Sequence, residues 1–224
     1  MEAKKSKQEI AKRYILFTIG LLIMGFGVAV TKRGELGVSP ISSVANVLSI
    51  KLDFLTLGNW LIIWNFILLL GQVLILRKDF RLIQLLQIPL SFLFGYFTDI
   101  GMKLVSVIDN ESYFVRLGLV ISGTIILGMG VAITVIADVI MNSGEAFVKA
   151  VSDKINKNFG NVKIAFDIFC VAASILISLF CFGFTIVGTR EGTIFAALFT
   201  GVAVKLFLKI LSKPVEKSLS GFMR

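Results

Sequence analysis

One line of this sequence is written twice. Leu22–Thr31 reads LIMGFGVAVT, and Ile125–Thr134, 103 positions later, reads IILGMGVAIT. Six of the ten positions are identical, and the other four exchange one apolar residue for another. The match extends beyond the motif. Arg13 pairs with Arg116 and Gly20 with Gly123 at the same offset, and Gly25, Gly27 and Ala29 pair with Gly128, Gly130 and Ala132. GNWLIIWN at Gly58–Asn65 meets GNVKIAFD at Gly160–Asp167 at an offset of 102. LFGYFTDIGMKL at Leu93–Leu104 lies against FTGVAVKLFLKI at Phe199–Ile210 at an offset of 106. The chain is constrained to fold as two related halves.

The environment follows from composition. The chain is 56% hydrophobic, with 20 Phe, and only 17% charged. Soluble domains run near half apolar and a quarter charged. Segments such as YILFTIGLLIMGFGVAVT have no polar face and approach the ~20 residues that cross a bilayer. We expect an all-α membrane protein with six spans at about 12–31, 58–76, 82–106, 114–136, 162–187 and 192–211. The first apolar run is too long for a signal core and lacks a clear cleavage site, so it is read as a retained span. With no His in the sequence, histidine ligands, bases and pH sensors are excluded. Cys170 and Cys181 are eleven residues apart in one apolar run. On a helix that is ~16 Å of rise, too far for a disulfide within the chain.

The net charge of +9 invites a nucleic-acid partner, but its placement argues against one. With the N-terminus in the cytoplasm, sixteen Lys and Arg fall in inner segments and five in outer segments. This is the positive-inside pattern. The basic charge therefore reports orientation and contact with anionic lipid heads. The expected home is a bacterial plasma membrane, crossed several times, with both termini cytoplasmic.

Three spans per half is an odd number, so the second copy is inverted relative to the first. The expected plan is a basic N-terminal segment at 1–11, a first repeat at 12–106, an outer linker at 107–113, a second repeat at 114–211 and a C-terminal tail at 212–224. Many secondary transporters are built this way and bind solute at the repeat interface. Gly20, Gly25, Gly27, Gly123, Gly128 and Gly130 are assigned to close helix packing, which puts the first and fourth spans face to face at the centre.

Long connections, 32–57 and 137–159, join the first two spans of each half. Ser39-Pro40 opens a short helix in the first, since Ser caps and Pro suits the first turn. Ile41, Val44, Val47 and Leu48 make its apolar face, opposite Ser42, Ser43, Asn46 and Ser49. In the second, Asn142 or Ser143 caps, Glu145 sits in the first turn, and Phe147, Val148, Val151 and Ile155 are apolar. Two arrangements stay open: a helix lying flat at the interface, or a re-entrant helix whose N-terminus points to mid-bilayer. The re-entrant form suits an anion at the helix end.

At GVSP, Gly37–Pro40, the chain resembles the YczE/YyaS/YitT family of small bacterial membrane proteins. Members typically show a glycine-rich first span, then a Gly-x-Ser/Gly-Pro-x-Asp-like turn before a short helix, repeated in weaker form in the second half. VGTREGT at Val187–Thr193 is similar to the family's Gly-Thr turn before the last span. Ser42 stands where an acid is common, and Asn-Ser-Gly-Glu replaces Gly-Pro-x-Asp, so the acid survives only as Glu145. The resemblance implies this architecture and a transporter-like role.

Polar residues inside apolar runs supply the candidate chemistry. The substrate-binding candidates are Ser39, Ser42, Asn46, Asn65, Ser143, Glu145 and Asp167, with Glu145 and Asp138 as coupling carboxylates. Asp99 and Lys205 occupy equivalent points of the third and sixth spans, as an ion pair or as groups reaching opposite surfaces. Trp60 and Trp64 are assigned to an outer aromatic belt. There is no Gly-x-Ser-x-Gly, phosphate loop or histidine metal motif, so neither an enzyme nor a cofactor is expected. The expected function is alternating-access transport of a small anionic or zwitterionic solute, driven by a proton or sodium ion. A substrate-capture subunit of a vitamin importer and a non-transporting scaffold are the alternatives. Oligomeric state is not legible.

Overall fold

The computed structural model describes residues 6–220. The described residues form eight α-helices, and six long, apolar segments in them could cross a bilayer. The long helices are α1 (Lys7–Arg33), α3 (Leu57–Leu76), α4 (Gln87–Val105), α5 (Tyr113–Ala137), α7 (Phe159–Cys181) and α8 (Glu191–Ser220). The two short helices are α2 (Pro40–Lys51) and α6 (Ser143–Lys154). The architecture is that of an all-helical, multi-pass membrane protein.

The centre is an antiparallel crossing of α1 and α5 made possible by glycine. A Cβ on Gly27 would fall 2.5 Å from Leu127 N, and one on Gly123 would fall 2.6 Å from Thr31 N. At the other end of the crossing, a Cβ on Gly130 would fall 2.6 Å from Met24 N, and one on Gly20 would fall 2.7 Å from Thr134 Cγ2. Backbones this close gain dispersion contacts, which matter in lipid because tails solvate apolar side chains as well as a neighbour does. Thr31 and Thr134 return their hydroxyls to their own helices, on Val28 O and Val131 O, each at 2.8 Å. The threonines thus enter the interface without an unsatisfied donor. Arg13 donates to Ile136 O and Ala137 O, where the last carbonyls of α5 carry partial negative charge.

The outer ring is built twice. α4 packs on α1 and α8 on α5; α2 packs on α7 and α6 on α3. A Cβ on Gly25 would meet Thr98 N at 2.9 Å, and one on Gly128 would meet Ala203 Cβ at 2.5 Å. All six assigned packing glycines therefore lie at helix contacts.

Four boundaries differ from the sequence expectation by five residues or more, the first being the start of α1 at Lys7 rather than 12. The third span begins as a 3-10 turn at Leu82–Leu86, and its α-helix starts at Gln87. The fifth ends at Cys181 rather than 187. Gly183 (φ +60°) and Phe184 (φ +64°) are left-handed there, and Phe184 N–H reaches back to Leu179 O at 2.8 Å. That is a Schellman-type stop, hidden by the apolar composition of FCFGFTIV. The last helix runs through Pro214 to Ser220 instead of ending at 211.

Candidate functional site

The two short helices meet at their N-terminal ends. A Cβ on Gly144 would fall 2.9 Å from Ile41 Cδ1. Ser39 and Asn142 hold the N-cap positions, and neither side chain caps its helix. Instead Ser39 Oγ donates to Ser42 Oγ at 3.0 Å. Ser43 Oγ lies 2.6 Å from Pro40 O and 3.2 Å from Cys170 O. Cys170 is the midpoint of α7, and Lys51 at the other end of α2 lies over the Phe182 ring. So α2 rises along the second half of α7 from its middle. Its polar side is buried along with its apolar side, Ser42, Ser43 and Asn46 included. A helix flat on an interface would leave that side wet.

α6 is held on α3 and α4 in a related way. Gln72 donates to Ser143 O at 3.2 Å and exchanges two amide hydrogen bonds of 3.0 Å with Gln87. Ser91 Oγ lies 3.4 Å from Ser143 Oγ. In the other half Ser174, the equivalent of Gln72 at an offset of 102, has its hydroxyl 2.9 Å from that of Thr189. Sequence reasoning missed Gln72, Gln87, Ser91, Ser174 and Thr189. The signal was there: polar residues inside apolar runs, with Gln72 and Ser174 paired at the offset that relates GNWLIIWN to GNVKIAFD.

Five buried side-chain atoms among the described residues have no hydrogen-bond partner: Asn46 Oδ1, Trp64 Nε1, Asn65 Nδ2, Glu145 Oε2 and Thr193 Oγ1. Asn46 places its amide on Gly188 O at 2.6 Å and leaves its oxygen free. A buried polar atom without a partner costs about 1–3 kcal/mol, so each is a point where a ligand atom or water would gain. Glu145 is partly exposed as a residue, but Oε2 is fully buried. Burial raises its carboxyl above the ordinary range; Lys163, its own backbone N–H and the Asn142 side chain oppose this, and Asp167 reinforces it. Asp167 itself is held by Lys163 Nζ, 2.5 and 2.6 Å from its two oxygens.

The structure separates the remaining candidates. Asp138 is exposed at the left-handed residue (φ +48°) that ends α5. Asp99 makes no ion pair with Lys205, which is exposed on α8. Its carboxylate holds the start of α3, accepting from Thr56 Oγ1 at 2.6 Å and Gly58 N–H at 2.9 Å. That arrangement satisfies helix-end donors and opposes the positive end of the dipole. Trp60 and Trp64 are half-buried and pack against the core, and Trp60 Nε1 donates to Leu52 O.

A family described as of unknown function, DUF6198, matches residues 11–209. The chain is also similar to Uncharacterized protein YyaS of Bacillus subtilis (strain 168), with 30% identity over 129 residues, 54% of this chain and 59% of that protein. The aligned part thus spans less than two thirds of YyaS. No solved structure matches. With a match running from the first glycine-rich helix to the last, this chain is a YyaS-like protein and belongs to the DUF6198 family.

Proposed function

We propose that the chain is a secondary transporter of a small anionic or zwitterionic solute, working by alternating access in a bacterial plasma membrane with both termini cytoplasmic. In this reading it is a 3+3 inverted repeat, α2 and α6 are its re-entrant helices, and the site lies where their N-termini meet. One observation carries it: the contacts come in equivalent pairs. Gly27 on Gly123 is matched by Gly130 on Gly20, and Gly25 on Thr98 by Gly128 on Val204. The offsets are 103 for the first and 103 to 106 for the second, those of the sequence repeat.

A pair of helix N-termini at mid-depth favours a carboxylate or phosphate, because first-turn N–H groups and the dipole both attract negative charge. Ser39, Ser42 and Ser143 add hydroxyls there, and Asn46 and Asn65 add buried amide atoms in search of partners. Glu145 serves as the coupling carboxylate, binding a proton or sodium ion. Irregular backbone at bilayer depth is tolerated where protein covers it, and α2 and α6 pack against α3, α7 and, for α2, α8. The duplicated contacts favour this reading over a capture subunit or a scaffold, neither of which needs them.

The test is a thermal-shift screen of the purified protein against carboxylates, phosphate esters, amino acids, sugars and organic cations, followed by uptake into proteoliposomes. An anionic or zwitterionic compound should raise the melting temperature in step with its concentration and should be taken up. A response confined to cations, or none across the panel, rejects the proposal.

A further inference from the structure

One contact breaks the duplication. α3 and α4 pack against each other along their length, whereas the equivalent helices α7 and α8 make no comparable contact. The glycines at these positions make the difference concrete. In the first half, a Cβ on Gly95 would fall 2.6 Å from Gly58 O, and one on Gly58 would collide with Gly95 O. Their equivalents are Gly160 and Gly201, at offsets of 102 and 106. A Cβ on Gly201 would meet nothing within 4 Å, and one on Gly160 would meet only Asn158 Oδ1, two residues back on its own chain. The second half carries the same pair of glycines with the contact unmade.

We infer that the structure is one of two alternating states, closed between α3 and α4 and open between α7 and α8, and that the other state closes Gly160 on Gly201 while Gly58 parts from Gly95. The inference rests on the transport reading above and names the moving parts. By the charge bias of the connections, Gly58 and Gly95 lie toward the outer face and Gly160 and Gly201 toward the cytoplasm, so the state described is inward-open.

The resting preference also has a source. The closed α3–α4 contact is held by Asp99, which takes the Thr56 hydroxyl and the Gly58 N–H at the positive end of α3. The residue equivalent to Asp99 is Lys205, and the cap equivalent to Thr56 is Asn158, which accepts from Gly160 N–H at 2.8 Å. Closing α8 on α7 brings a cation toward the positive end of a helix, where a carboxylate would be favoured. The outer closure is latched and the inner one is not.

The experiment is a pair of spin-label distances in nanodiscs, on a background lacking Cys170 and Cys181. One pair is Asn59/Tyr96 across α3 and α4; the other is its repeat equivalent, Asn161/Val202 across α7 and α8. All four residues are exposed. The expected result is a short major and a long minor distance for the outer pair, and the reverse for the inner pair, with each minor distance matching the other pair's major one. Lys205→Asp should raise the inner-closed fraction severalfold and lengthen the outer pair in step. Gly201→Leu, which adds a side chain where nothing lies within 4 Å, should remove the inner-closed fraction and leave folding intact.

Single distances at both pairs that neither variant moves would overturn the inference. So would dipolar coupling in singly labelled Val202 protein, which would give the open face to a second copy. Failure of this inference and failure of the transport reading are distinguishable. Solute that binds while both distances stay fixed removes the two states alone, and paired distance changes without any solute response remove transport alone.

Discussion

Adding one methyl group at the centre of the molecule is the sharpest test of its packing. A Cβ on Gly27 would lie 2.5 Å from Leu127 N, 2.8 Å from Leu127 Cα and 3.0 Å from Gly123 O. All three are backbone atoms, so no rotamer change relieves the clash. Carbon and nitrogen in contact need roughly 3.5 Å, so α1 and α5 must part by about 1 Å. A gap of that size forfeits a quarter to a half of each dispersion contact along the crossing. Overpacking of this kind costs about 1–3 kcal/mol, and the absence of a yielding side chain places Gly27→Ala at about 2 kcal/mol or above. At about 2–4 °C per kcal/mol for a chain of this size, the melting temperature should fall by about 4–8 °C. The control is Gly118→Ala on the same α5, where the new Cβ meets nothing within 4 Å. Both variants, and Gly130→Ala as the repeat equivalent, can be followed by thermal unfolding in mild detergent. Gly27→Ala and Gly130→Ala should fall together and Gly118→Ala should not. If Gly27→Ala melts with Gly118→Ala, the close crossing is wrong.

Three further outcomes follow from other parts of the fold. Glu145 has its carboxyl raised from an ordinary value of 4.5, mainly by burial. The native state therefore holds the proton more tightly than the unfolded chain does, and stability falls as pH rises from there through the raised value. A melting series in pH should show Glu145→Gln gaining on the wild-type protein as pH rises and matching it below about pH 4.5; parallel curves would discard the buried carboxyl. Asp99→Ala leaves the Thr56 hydroxyl and the Gly58 N–H without their acceptor, and should lower stability by about 1–2 kcal/mol. A Thr56→Ala, Asp99→Ala double-mutant cycle should give a coupling above zero, and additivity would contradict the latch. Gly183→Ala should cost about 1 kcal/mol through its positive φ alone, because nothing lies within 4 Å of the new Cβ; an unchanged melting temperature would argue against the stop after Cys181.

The six long helices were legible because apolar runs and their length leave little choice in lipid. The central crossing was legible too, since glycines at matched offsets can do little else on two adjoining helices. Other features were not. The end of α7 hides in FCFGFTIV, where hydropathy continues but two left-handed residues turn the chain. The disposition of α2 and α6 turned on small residues, Ala45, Ala146, Ala150 and Gly144, that let them sink among the long helices while an apolar-face count saw only amphipathicity. Gln72–Gln87 was missed because single polar residues in apolar runs look like noise until their partners are known. Asp99 and Lys205 were matched by position in the repeat, but the acid is taken by the Thr56 hydroxyl and the Gly58 N–H, a use that the sequence pattern does not display.

The central claim is that the two halves face opposite ways across the membrane. Lys51 ends α2 and Lys154 ends α6; both are exposed, and they are repeat equivalents at an offset of 103. The direct measurement is labelling of Lys51→Cys and Lys154→Cys with a membrane-impermeant thiol reagent in intact cells, on the background lacking Cys170 and Cys181. The account predicts that the cysteine at 51 reacts from outside and that the one at 154 reacts only after permeabilisation. Reaction of both from the same side would contradict it.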